Sequence, residues 1–97
     1  MKLVRDKIPE IIENEKGKPI QTEVLREEEI QSHLIRKLKE ETDEYSKNND
    51  SEELIDIIEV VHAIAKREGI TPEELEQKRI EKKEKKGGFD KGIFAYL

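Results

Sequence analysis

Residues 51–67 read SEELIDIIEVVHAIAKR. Leu54, Ile55, Ile57, Ile58, Val60, Val61, Ile64 and Ala65 fill the stretch and leave it almost no polar side. A run this long without glycine or proline outlasts a strand and reads as a helix over about Ser51–Arg67. Apolar on nearly every side, it is expected to be the most buried element. Asp50 or Ser51 can cap it, because a side-chain oxygen there takes up a backbone N–H that the first turn leaves unpaired. Gly69 ends it.

Upstream, Lys47-Asn48-Asn49-Asp50-Ser51 breaks the chain, and about Glu27–Lys47 forms a second long helix. Ile30, Leu34, Leu38, Glu41 and Tyr45 recur there at spacings of three and four, which marks one face. So short a break favours an antiparallel hairpin. Downstream, Thr71-Pro72-Glu73-Glu74 combines a Thr N-cap, a first-turn Pro and a Glu three residues after the cap, and opens a helix reaching about Lys86. Gly87-Gly88 stops it. A short helix over Pro9–Glu15 ends at Gly17. Pro19–Leu25 alternates weakly and Gly92–Leu97 is apolar, so the two can pair as a short two-stranded element. The expected fold is mainly α: one domain over residues 1–97, built as an antiparallel bundle of about four helices.

The chain has 97 residues, of which 33% are hydrophobic and 44% charged. A domain of this size buries only about 60–65% of its unfolded surface. The core of one copy should be thin, and oligomerisation should complete it as a homodimer or homotetramer. The net charge of −5 argues against a nucleic acid polymer as partner. Cysteine is absent, and His33 and His62 are the only histidines, so zinc chemistry is not indicated. Met1–Asp6 carries no apolar leader, and no stretch approaches the ~20 apolar residues of a membrane span. A soluble cytoplasmic protein, with no membrane partner, is expected.

Two segments carry the chemistry. Leu38-Lys39-Glu40-Glu41-Thr42-Asp43-Glu44 places Glu41 and Glu44 three apart, and Glu52-Glu53-Leu54-Ile55-Asp56 does the same for Glu53 and Asp56. Residues three apart share a helix face. Folded back across the loop, the pairs meet at similar height. Their carboxylates would repel unless a cation sat among them. All-oxygen ligands suit Mg²⁺ or Mn²⁺, and Mg²⁺ held this way commonly takes phosphate oxygens as further ligands. Acid pairs on a highly charged helix are usually just a solvated face. Two details weigh against that here: Glu41 interrupts the apolar stripe between Leu38 and Tyr45, and Asp56 lies within the most apolar helix.

Glu40-Glu41-x-x-Glu44 followed by Glu53-x-x-Asp56 resembles the metal-binding signature of the all-α NTP pyrophosphatase superfamily. That group includes MazG, dimeric dUTPases and phosphoribosyl-ATP pyrophosphohydrolase. Lys2-Leu3-Val4-Arg5-Asp6-Lys7-Ile8-Pro9 and Lys86-Gly87-Gly88-Phe89 look like a MazG-like, phosphoribosyl-ATP pyrophosphohydrolase-like branch, and the resemblance covers nearly the whole chain. It implies Glu41, Glu44, Glu53 and Asp56 as metal ligands, with Glu40 a further ligand, a supporting group or the general base. It also implies Mg²⁺-dependent hydrolysis between the α- and β-phosphates of a nucleoside triphosphate, giving a monophosphate and pyrophosphate, in nucleotide-pool cleanup. Two features depart from the pattern. Lys86 stands where arginine usually precedes Gly-Gly-Phe, which keeps the charge but loses the bidentate fork. The loop between the acid pairs is also short compared with MazG.

Basic side chains must neutralise the leaving pyrophosphate. Arg5, Lys7, Lys83 and Lys86 are the candidates, with Lys82 beside them; a solvated helix face laced with Glu–Lys pairs explains Lys82 and Lys83 equally well. Tyr45 and Phe89 could stack on a base but fit a core better, and His62 fits a packed histidine better than a ligand. Two rivals remain: a phosphoribosyl-ATP pyrophosphohydrolase of histidine biosynthesis, and a non-enzymatic helical dimerisation or regulatory module.

Overall fold

The computed structural model describes residues 1–97. It contains four helices and no strand: α1 (Ile8–Lys16), α2 (Glu27–Asn48), α3 (Ser51–Arg67) and α4 (Pro72–Lys86). Each boundary lies within a residue or two of the one read from sequence, because the local end signals act as expected. Gly17 takes the left-handed conformation (φ 74°) and donates its N–H to the Glu13 carbonyl. Glu29 accepts from the Arg26 backbone N–H at 3.3 Å and from Arg26 Nε at 2.9 Å, which fastens the start of α2. The Arg26 guanidinium holds the Glu29 carboxyl below the usual carboxylate range.

The turn between α2 and α3 decides the site. Asn49 is left-handed (φ 52°), a conformation asparagine tolerates better than most residues, and its N–H closes α2 on the Tyr45 carbonyl at 2.8 Å. Asp50 returns to extended backbone, and its carboxylate accepts from the Glu52 N–H at 3.0 Å. Two residues thus stop one helix and cap the next. At the far end Thr71 caps α4 by accepting from Glu74 N–H at 3.1 Å.

α2 and α3 form the main packed unit, and α4 packs less extensively on α3. Arg67, at the end of α3, pairs with Glu27, at the start of α2, so the hairpin is antiparallel along its length. The buried residues are Leu34 and Glu41 on α2 and Val60 and Ala65 on α3. The chain is extended: its radius of gyration is 17.2 Å, against about 12.5 Å for a compact domain of this length. No helix is long and apolar enough to cross a membrane.

Two expectations need correction. Pro19–Leu25 and Gly92–Leu97 have no regular structure and do not pair. An isolated two-stranded ribbon is marginal without a surface to cover, and both segments are largely exposed. The bundle, expected to be completed by oligomerisation, is not closed within one chain, where α1 packs closely on none of the other helices. Nor is α3 buried all round: Leu54, Ile55 and Ile58 are 43%, 56% and 54% exposed. α3 has one long neighbour, α2, and α4 covers little of the remaining surface.

Candidate metal centre

Glu41 occupies a position on α2 where Leu34 and Leu38 point into the seam, and it is only 8% exposed. Glu53 and Asp56 stand across from it on α3, half-buried and one helical turn apart. One carboxylate oxygen from each of the three lies within 4.8 Å of the others. The spacing read from sequence and the two-residue turn together produce this: the turn fixes the register, and the register sets Glu41 against the Glu53–Asp56 pair. Glu44, the fourth expected ligand, stays outside the tight group. It accepts from Asn48 Nδ2 at 3.3 Å, although its charge still acts on Glu53.

The surroundings are partly neutralised. Lys37 Nζ lies 3.1 Å from Glu41 and 3.5 Å from Glu40, with its side chain only 17% exposed. Lys2 Nζ is 3.6 Å from Glu40. Arg5 reaches in from the N-terminal segment and donates to Asp56 at 2.6 Å. The carboxylates of Glu40, Glu41, Glu44, Glu53 and Asp56 therefore meet only three neighbouring cations. The imbalance is two negative charges.

Glu53 absorbs part of it by holding a proton. Its carboxyl is pushed up to about 7, first by a hydrogen bond to Glu41, then by partial burial, then by the charges of Glu41, Asp56 and Glu44. The sign of the consequence follows from linkage. Between about 4.5 and about 7 the folded chain holds this proton more tightly than the unfolded chain does. Glu53 therefore makes the metal-free fold lose stability as pH rises through that window. Thermal melts of metal-stripped Glu53→Gln are expected to decline less over this range than those of the parent chain. Parallel pH curves would remove the raised carboxyl from the picture.

The donor set fits a small hard cation: three convergent carboxylates, no sulfur and no imidazole. The other expected residues are placed less uniformly. Arg5 is at the cluster. Lys7 precedes α1, and Lys83 and Lys86 lie on α4; all three are exposed and form no ion pair with the carboxylates. Tyr45 is half-buried and Phe89 projects from the chain. His62 is half-buried on α3, near Glu76, whose carboxyl is held low chiefly by Arg79. Sequence reading missed Lys37. The signal was present, since a lysine four residues before Glu41 on a helix sits within pairing distance of it. Lys2 has no such periodic signal, because it meets Glu40 only through the path of the N-terminal segment. No protein-family model, curated protein or solved structure matches the chain.

Proposed function

We propose that the α2–α3 hairpin is the active centre of a Mg²⁺-dependent nucleoside triphosphate pyrophosphohydrolase, with Mn²⁺ able to substitute. One observation carries this reading: three carboxylate oxygens converge within 4.8 Å around an uncompensated negative charge. Buried charges in proteins are paired or coordinate metals; Lys37 and Arg5 pair with Glu41 and Asp56, and Glu53 has no cation of its own. Glu41, Glu53 and Asp56 would hold the ion, and Glu44 is the neighbouring fourth donor. When bound, a divalent cation offsets the charge on phosphate oxygens and acidifies water for attack.

The chain's own residues then have separable tasks. Lys37 keeps Glu41 in place from within the seam. Arg5 occupies Asp56 in the free chain and is the cation nearest to any phosphate arriving there. Glu40, one residue from the centre and held by Lys2 and Lys37, accepts the proton of the attacking water. The anhydride between the α- and β-phosphorus breaks, water supplies the hydroxyl, and a nucleoside monophosphate and pyrophosphate leave. The biological role is cleanup of the nucleotide pool. The exposed side chains of Leu54, Ile55 and Ile58 support a homo-oligomer, since a two-helix hairpin closes a core only against further helices.

The test is product analysis with common and damaged nucleoside triphosphates and with phosphoribosyl-ATP. Mg²⁺-dependent pyrophosphate release is expected, with kcat falling roughly 100-fold or more in Glu40→Gln. Orthophosphate as the first product, or no release at all, would refute the assignment. Selective turnover of phosphoribosyl-ATP would move it to histidine biosynthesis.

A further inference from the structure

A shallow groove beside the carboxylates has the opposite charge. His33, Arg36, Lys37 and Glu40 recur on α2 at spacings of three and four and so form one wall. The N-terminal segment lies beside them through Met1, Lys2 and Leu3 and borders an open cavity of about 150 Å³. Lys2, Arg36 and Lys37 bring three fixed cations to it, with His33 beside them, and the only acid in the lining is Glu40. Both lysines share that one carboxylate, at 3.6 and 3.5 Å. Arg36 pairs with no carboxylate at all. In a chain whose net charge is −5 this positive charge is local; a second cationic groove, lined by Lys78, Lys82, Lys85 and Lys86 with Glu81, lies on α4 and holds no arginine.

We infer that this cavity is an anion subsite that takes the terminal phosphates of the substrate and holds pyrophosphate after cleavage. Its size favours such a ligand, because pockets for drug-sized molecules run to about 300–1,000 Å³. Its chemistry agrees: a guanidinium free of partners offers a planar fork for phosphate oxygens, and ammonium groups add point charges. Lys37 belongs to both places, since its Nζ touches Glu41 of the carboxylate cluster and its side chain lines the cavity. A polyphosphate chain could therefore lie with one end at the carboxylates and the other over Arg36. The role in turnover rests on the proposed pyrophosphohydrolase reading, but anion binding by the cavity can be measured apart from it.

The experiment is calorimetric titration of the metal-stripped 97-residue chain with sodium pyrophosphate, in chelator-free buffer at low salt. Saturable binding is expected, tighter than for inorganic phosphate, and weakened at least tenfold in Arg36→Gln and several-fold in Lys2→Gln. Both side chains are at the surface, and Mg²⁺ titration of the two variants should match the parent. Absence of pyrophosphate binding, equal affinity for inorganic phosphate, or unchanged binding in both variants would overturn the inference. Each of those results leaves the metal centre standing if Mg²⁺ still binds. Loss of the metal centre would instead appear as a failed Mg²⁺ titration beside intact, Arg36-dependent pyrophosphate binding.

Discussion

Mg²⁺ added to the metal-stripped protein should raise its melting temperature sharply, and Asp56→Asn should abolish most of the rise. A ligand that binds only the folded state at a hundred times its dissociation constant stabilises by about 2.7 kcal/mol. For a domain of this length each kcal/mol moves the midpoint by about 4–8 °C, so a shift of roughly 10–20 °C is expected. The effect should be large because the cluster is frustrated without a cation. Glu41 is buried, Glu53 is driven to keep a proton, and Arg5 can satisfy only Asp56. Glu41→Gln separates the competing readings. With a metal centre, that variant loses the Mg²⁺-induced shift while its metal-free form melts no lower than the parent, because a neutral amide removes one negative charge from an under-neutralised cluster and can still hydrogen-bond to Glu53. With an interaction module, Mg²⁺ shifts neither protein, and Glu41→Gln and Asp56→Asn each raise the melting temperature at every Mg²⁺ concentration. Scanning calorimetry across a Mg²⁺ series reads both quantities.

The parts of this molecule that were legible in sequence are those set by local rules. Gly17, Asp50 and Thr71 act within one turn of themselves, so their helix ends could be read directly. The convergence of Glu41, Glu53 and Asp56 was also legible, because it needs only helical periodicity and a short turn. Glu44 shows the limit of that reasoning. It shares the spacing of Glu41, yet its side chain turns to Asn48, a choice made by a neighbour four residues away. Lys7, Lys83 and Lys86 show a second limit: charge alone does not say where a side chain reaches, and α4 leaves α3 after a small contact. The path of the N-terminal segment was the least legible feature. Nothing periodic predicts that Lys2 meets Glu40 or that Arg5 meets Asp56, since both contacts depend on how an irregular segment lies across two helices.

The exposed side of α3 yields the other large effect. Ile58→Glu is expected to convert a homo-oligomer into a poorly folded monomer, as read by sedimentation and by loss of helical circular dichroism. Leu54, Ile55 and Ile58 lie at successive and four-residue spacings, so they present one apolar strip to solvent. Ile35 on α2 is likewise half exposed. A second hairpin laid against this strip would turn two helices into four, which is the smallest arrangement that encloses a helical core. Full burial of an isoleucine contributes ~1.5–3 kcal/mol, and in a two-fold interface the same substitution acts twice. The loss is then up to ~3–6 kcal/mol, a weakening of roughly 10²–10⁴-fold, before the cost of placing a carboxylate there is counted. Lys18→Glu, at an exposed position outside the hairpin, is the control and should leave association intact. If the parent chain sediments as a stable folded monomer at micromolar concentration, the hairpin is self-sufficient and the strip has some other occupant. If association is found, the metal centre gains a mechanical reason for its position. Glu53 and Asp56 project from the same helix whose opposite side would be clamped by the partner, and carboxylates that must hold one cation need a backbone that cannot yield.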